Sequence, residues 1–439
     1  MAGYEATVEK IFNLRKFGGM KLGLERIRET CKQLGNPQEK YKIIHVAGSN
    51  GKGSTAAMAA SILRAAGHRV GLYTSPHLSR FTERITVDGQ EIPETDVVRL
   101  FEEVWNIESE EKPSFFEVTT AIAFKWFAEQ NVDFSVIEVG LGGRLDATNV
   151  VKPTVSVITN IALEHTDILG DTLEKIATEK AGIIKEGVPL VTATQNISAY
   201  SIFKDRCKEK GSRLFRVGKD IRLERTGGNL DYQEFNLKGL NGNYEKLKLP
   251  LLGEHQLHNA AAAVGAVEAL SLNGTDVPES AVRAGLEKVV WPGRMEIVQR
   301  TPLVILDCAK DVLGMESLRK AVTDVFDYER LILAVSISDD KKIGLMLEQI
   351  LPITDYVIAT RHKVRDRAIE PSVIADMAKT LGKKAEIVDD VRGAVSKAIG
   401  MANGNDMVLI TGSVFTVGEA RELWFKENGT KLGRELNER

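Results

Sequence analysis

Cysteine is scarce in this sequence: Cys31, Cys207 and Cys308 are its only three, far apart in a chain of 439 residues. Their odd number frames no disulfide scaffold and their spacing matches no zinc site, so they are expected to be reduced thiols in a cytoplasmic protein. Long hydrophobic runs are missing as well. No stretch approaches a membrane span, and the opening segment from Met1 to Lys10 becomes charged almost at once, unlike a targeting sequence. Nor is there an excess of one charge. Lys plus Arg number 58 against 61 Asp plus Glu, which leaves no basic stripe for a nucleic-acid backbone and no acidic tail. The expectation that remains is a soluble monomer acting on small molecules, without nucleic-acid or membrane partners. Internal repeats and low-complexity tracts are absent too.

A chain of this length exceeds what one core usually supports, so two domains are expected. Short apolar runs alternate with longer amphipathic stretches, which predicts stacked βαβ units, an α/β fold and a mainly parallel sheet. In the first half the predicted strands are 42–47, 70–73, 134–138, 155–158 and 188–191, with a helix over 51–66. From Leu214 to Leu252 the pattern turns polar and is punctuated by Gly227-Gly228 and by Gly239 to Gly242, which predicts exposed antiparallel strands elaborating the first domain. A helix should follow, from near His255 through the alanine-rich run after Asn259 to Leu270. Trp291-Pro292-Gly293-Arg294 then marks the expected boundary, giving domains 1–294 and 295–439. Beyond it, predicted strands at 303–307, 331–335, 356–360, 385–388 and 407–411 alternate with helices as in a smaller, open, Rossmann-like sheet. No Gly-x-Gly-x-x-Gly follows the first of them, so nothing supports a dinucleotide site.

Three strings carry chemistry. A predicted buried strand runs into Gly48-Ser49-Asn50-Gly51-Lys52-Gly53-Ser54 and then a helix, which aims backbone N–H groups and a helix N-terminus at a phosphate. Lys52 adds a charge for the outer phosphates and Ser54 a hydroxyl for magnesium, although Gly53 intrudes between them in a departure from the general phosphate-loop pattern. The second string is a strand ending at Glu138 and followed by Gly140, Gly142 and Gly143; such a carboxylate either holds magnesium at the sheet edge or is an ordinary solvated cap. His165, just past another strand, either joins Glu138 around a metal or is a structural hydrogen-bonder.

Together these strings, with Tyr73 to Leu78, Leu145 to Asn149, Glu179 to Gly182, His255 to Asn259 and Trp291 to Arg294, resemble the folylpolyglutamate and dihydrofolate synthases of the Mur ligase superfamily. The resemblance implies a phosphate-loop ATP-binding domain followed by a Rossmann-like domain, with the site in the cleft between them. It implies that Asn50 to Gly53 bind ATP phosphates, that Asn259, Arg294 and Asp307 contact the nucleotide, and that Ser75, Glu138 and His165 hold magnesium. Lys180 matches a lysine that is carbamylated in the family and so helps hold a second magnesium ion. Leu22, Gly23 and Leu24 with Leu145, Asp146 and Ala147 match pterin-acid contacts, and Ser413 an acceptor-side position. The implied reaction is ATP-dependent formation of an acyl phosphate on a pterin or folate carboxylate, then attack by the amine of L-glutamate. That chemistry needs no protein nucleophile, in keeping with the absence of any catalytic triad.

One loop departs from the pattern. The family's Asp-Gly-Ala-His-Asn-Pro, whose histidine helps bind glutamate, reads Asp307-Cys308-Ala309-Lys310-Asp311-Val312 here. Lys310 either meets a glutamate carboxylate or faces solvent without a role. The altered loop also keeps open a Mur-type ligase or cyclase acting on another carboxylate, such as a methanogenic tetrapyrrole cofactor precursor. A nucleotide-binding protein without ligase activity is the remaining alternative.

Overall fold

The computed structural model describes residues 3–18, 23–364 and 367–425. The first half runs α1 (Tyr4–Gly18), α2 (Glu25–Gln33), β1 (Lys42–Ala47), α3 (Lys52–Ala65), β2 (Val70–Tyr73), β3 (Ile85–Val87), β4 (Gln90–Glu91), α4 (Glu94–Trp105), α5 (Phe115–Glu129) and β5 (Phe134–Glu138). It continues through β6 (Val155–Ile158), α6 (Thr166–Leu169), α7 (Leu173–Ala181), β7 (Leu190–Thr192), α8 (Ile197–Glu209) and β8 (Leu214–Arg216). These strands form one sheet in the order β4-β3-β2-β5-β1-β6-β7-β8. It is parallel from β2 to β8, with β3 and β4 added antiparallel at one edge.

The central strands β5 and β6 are buried throughout and β1 at all but its first residue, as parallel strands covered on both faces must be, which explains their near-continuous apolar sequence. Small residues decide how closely the covering helices approach. After the antiparallel β9 (Arg222–Gly228), β10 (Gln233–Lys238) and β11 (Asn243–Leu249) come α9 (Glu254–Ala269) and α10 (Glu279–Glu287). Ala56, Ala59 and Ala60 of α3 and Ala260 to Ala263 of α9 lie in one buried cluster. On α10, a Cβ added at Gly285 would sit 2.4 Å from the Ile62 Cα, so this contact admits only glycine.

The second half comprises β12 (Glu296–Arg300), β13 (Leu303–Leu306), α11 (Val312–Val325), β14 (Leu331–Val335), α12 (Ile343–Ile350), β15 (Tyr356–Ala359), α13 (Pro371–Thr380), β16 (Lys384–Ile387), α14 (Val391–Met401), β17 (Met407–Thr411) and α15 (Val414–Arg421). Its sheet order is β12-β13-β17-β14-β15-β16, parallel except for β12.

Some sequence expectations shift. The strand expected over 188–191 lies at Leu190–Thr192, because Pro189 has no N–H to donate and the Val188 N–H closes a turn onto the Lys185 carbonyl at 3.2 Å. Leu214 begins not the antiparallel elaboration but β8, paired in parallel with β7. The second sheet starts one strand earlier than expected, with β12.

Candidate active site

Why three distant strings meet follows from strand order. β1 lies between β5 and β6, in register Val46 to Glu138 and Ala47 to Ile158, so the loops after all three strands emerge side by side at their carboxyl ends. This is the switch point where open α/β sheets bind ligands. The loop after β1 is braced from β6: Ser49 N–H donates to the Asn160 carbonyl at 2.9 Å, Asn50 N–H to Asn160 Oδ1 at 2.8 Å, and Thr159 Oγ1 to the Asn50 carbonyl at 2.6 Å. Gly51 caps α3 at φ 83°, and a Cβ there would lie 2.2 Å from Asn259 Oδ1. The unexpected Gly53 has a packing reason, since a Cβ on it would come within 2.8 Å of the Trp291 ring. Past this bend the first-turn N–H groups of α3 have no carbonyl a turn earlier and are free for an anion.

A cavity of about 1250 Å³ opens over this edge, lined by Gly48, Ser49, Asn50, Gly51, Lys52, Gly53, Ser54, Ser75, Glu138, His165, Lys180 and Asn259 from the first half. Arg294, Asp307, Lys310 and Ser413 line it from the second, at the carboxyl ends of the adjacent β13 and β17 or before them. The ATP-site, metal and acceptor positions named from sequence thus share one cleft. Leu22 lies outside the described residues. Gly23, Leu24, Leu145, Asp146 and Ala147 do not line the cavity. Leu24 and Ala147 are buried in a neighbouring core cluster, and the Asp146 carboxylate is occupied by Thr148 N–H at 3.0 Å, Thr148 Oγ1 at 2.5 Å and Leu141 N–H at 2.9 Å.

Lys52 folds back so that its Nζ donates to the Gly48 and Ser49 carbonyls at 2.9 and 3.0 Å. Glu138 is 4 % exposed and accepts from Ser75 N–H at 2.9 Å; burial pushes its carboxyl upward while Lys52 and that N–H pull it back. A buried carboxylate with spare lone pairs facing a cavity is a place for a cation. Ser54, Ser75, Glu138 and His165, whose imidazole pKa burial lowers, all line the cavity and offer donor atoms of the kind that bind magnesium together with phosphate oxygens and water. Among the described residues no three His, Cys, Asp or Glu side chains group tightly enough to hold a metal alone. Lys180 as an ammonium does not fit as a ligand: its Nζ donates to Glu164 Oε1 at 2.7 Å and to the Gly48 carbonyl at 2.9 Å. Of that pair Lys180 is the deeper, 2 % exposed against 10 %, so desolvation falls on it and draws its pKa down to about 8 despite Glu164. Burial works against the Glu164 carboxylate too, but Lys180 and Lys52 outweigh it and hold it at about 2.

In the second half the Asp307 carboxylate accepts from Met295 N–H at 3.0 Å and Ala309 N–H at 2.8 Å, fixing the turn that carries Arg294. Asn259 Nδ2 donates to Gln256 Oε1 at 3.0 Å. Several lining residues carried no sequence signal of their own: Arg84, a fully buried cation with Nε 2.8 Å from His77 Nδ1, and Glu164 and Arg367. Only Glu164, next to His165 in the third string, was open to inference, as the counter-charge that a buried Lys180 requires.

A phosphate loop at a switch point, facing the carboxyl edge of a second parallel sheet across one cleft, defines a two-domain phosphate-loop architecture. Residues 46–267 match the Mur ligase middle domain and 293–414 the Mur ligase glutamate ligase domain. A probable bifunctional folylpolyglutamate synthase/dihydropteroate synthase of Halobacterium salinarum is 37 % identical over 430 residues, covering 96 % of this chain and 52 % of that protein. The chain therefore spans about half the length of such bifunctional relatives. It matches a dihydrofolate synthase/folylpolyglutamate synthase of Bacillus subtilis at 36 % identity over 95 % of its own length and 98 % of the relative's. The structure of E. coli FolC in complex with DHPP and ADP superposes with a TM-score of 0.88 at 32 % identity, over 96 % of this chain and 99 % of that one. The chain belongs to the Mur ligase superfamily, in its folylpolyglutamate synthase and dihydrofolate synthase family.

Proposed function

We propose that this chain is an ATP-dependent ligase joining L-glutamate to the carboxylate of a pterin acid or folate through an acyl phosphate. The observation that carries the reading is the single cleft in which the phosphate loop, Glu138 and His165 face Arg294, Asp307 and Ser413. The N–H groups opening α3 and the Lys52 ammonium receive the β- and γ-phosphates, and Asn259, Arg294 and Asp307 the rest of the nucleotide. Ser54, Ser75, Glu138 and His165 hold magnesium, which supplies charge neutralisation on the phosphates. Lys180 serves as a carbamate beside a second ion; its pKa near 8 leaves a neutral amine available to add carbon dioxide, and the carbamate reverses its charge. The pterin or folate lies toward Gly23 and Leu24 and the loop of Leu145 to Ala147, and the glutamate amine approaches from the Ser413 side. The domains divide at Arg294, 1–294 binding ATP and 295–439 the acceptor, with the chain acting as a cytoplasmic monomer.

Phosphate release is the test, measured against L-glutamate concentration with dihydropteroate and then tetrahydrofolate, with and without added bicarbonate. Saturable release requiring both the pterin acid and glutamate, raised by bicarbonate, is the expected result. A flat response to glutamate with both pterins, in protein that binds ATP, removes this reading.

A further inference from the structure

Lys310 stands beside a direct contact between the second domain and the phosphate loop. It follows Asp307, whose carboxylate is held by two backbone N–H groups, and precedes Asp311, which caps α11 through Gly314 N–H at 2.8 Å. The same Asp311 Oδ1 accepts from Asn50 Nδ2 at 3.0 Å, a direct bond from the second domain to the phosphate loop. One residue from that bond, the Lys310 side chain is half-buried in the cavity wall and has no hydrogen bond or ion pair among the described residues. Every other lysine deep in this cleft is engaged: Lys52 by two carbonyls, Lys180 by Glu164, Lys341 by Asp340 at 2.7 Å. A desolvated ammonium without a partner is costly unless a bound anion completes it.

Two anions enter a ligase cleft of this kind, the triphosphate and the acceptor's carboxylates. We infer that Lys310 is a second cation on the transferring phosphoryl group, delivered from the second domain and set in place by the bond between Asp311 and Asn50. The inference rests on the proposed ligase reading. It reassigns Lys310 from the glutamate contact expected by analogy with the family's histidine. The groups that feel its charge are Glu138 and His165 at the phosphate end and the neighbouring Cys308, and the groups that act on it are Lys52, Glu164, Asp311 and Arg294. Acceptor carboxylates retain Arg367 and Ser413 in the cavity wall. In the step concerned, a pterin carboxylate oxygen bonds to the γ-phosphorus as the bond to the β,γ-bridging oxygen breaks, and the electron pair leaves on ADP. Lys310 stays protonated throughout; it offsets charge on the equatorial oxygens and exchanges no proton.

The test separates the half-reactions. With hydroxylamine in place of glutamate, acyl phosphate is trapped as a hydroxamate; the full reaction gives the KM for glutamate. Lys310→Ala should slow hydroxamate formation by about 10²–10³-fold, the loss typical of removing one donor to developing charge, and leave the glutamate KM unchanged. Lys310→Arg should recover part of the rate, which a variant that merely folds poorly would not explain. Wild-type hydroxamate formation in Lys310→Ala, whether with a raised glutamate KM or with no change at all, overturns the inference: the first makes Lys310 an acceptor contact, the second a lysine without a role. Wild-type protein that binds ATP yet forms no hydroxamate with any pterin acid marks failure of the ligase reading itself.

Discussion

His45 lies in the middle of β1 with no exposure, its Nε2 2.8 Å from Thr148 Oγ1 and its Nδ1 without a partner. Burial, reinforced by Lys185, draws its pKa down to about 3. Unfolded, the imidazole takes a proton near its ordinary 6.5. Between those values the unfolded chain binds the extra proton, so the stability due to His45 is complete above pH 6.5 and lost as pH falls toward 3. The slope is about 1.4 kcal/mol per pH unit, and the total on the order of 5 kcal/mol. His45→Gln, which can keep a bond to Thr148, should flatten the acid limb of a plot of unfolding free energy against pH; an unchanged limb contradicts the assignment. His45 precedes the phosphate loop by only three residues, and it holds the strand rather than touching substrate.

Among elements, the turn from β1 into α3 bears most of the chemistry, and its shape depends on Gly51. A side chain there meets both a positive φ of 83° and Asn259 Oδ1 at 2.2 Å from the added Cβ. Gly51→Ala should cost about 1–2 kcal/mol of backbone strain and displace Asn259, so nucleotide affinity should fall more than stability does. Comparing the melting temperature with and without ATP checks this: a small drop in the free protein and a much reduced ATP-induced rise are expected, and an undiminished rise speaks against it. This turn was legible in the sequence because local chemistry dictates it, glycines and a lysine between a buried strand and a helix. Most parallel strands of both sheets were legible for the same reason, as short apolar runs with helices between, whereas β3, β4, β8 and β12 were not. What could not be read were features that depend on tertiary partners. Leu214 looked like part of a polar antiparallel segment until its pairing with β7 appeared. Arg84 and Arg367 are ordinary cations in sequence, and only folding brings them to one cavity. The bonds that hold the Asp146 carboxylate to its own loop likewise appear only once the chain is folded.

At the scale of the whole molecule, two largely parallel sheets present their carboxyl edges to one cleft, and bonds between the halves include Asn50 with Asp311, Arg300 with Asp231 and Lys320 with Glu254. The central claim is that an oxygen of the substrate's own carboxylate attacks the γ-phosphorus within this cleft. Labelling that carboxylate with heavy oxygen and running the reaction to completion with ATP and L-glutamate tests it most directly. Transfer of one labelled oxygen into the released phosphate is the predicted result; unlabelled phosphate, with amide product formed, would contradict the account.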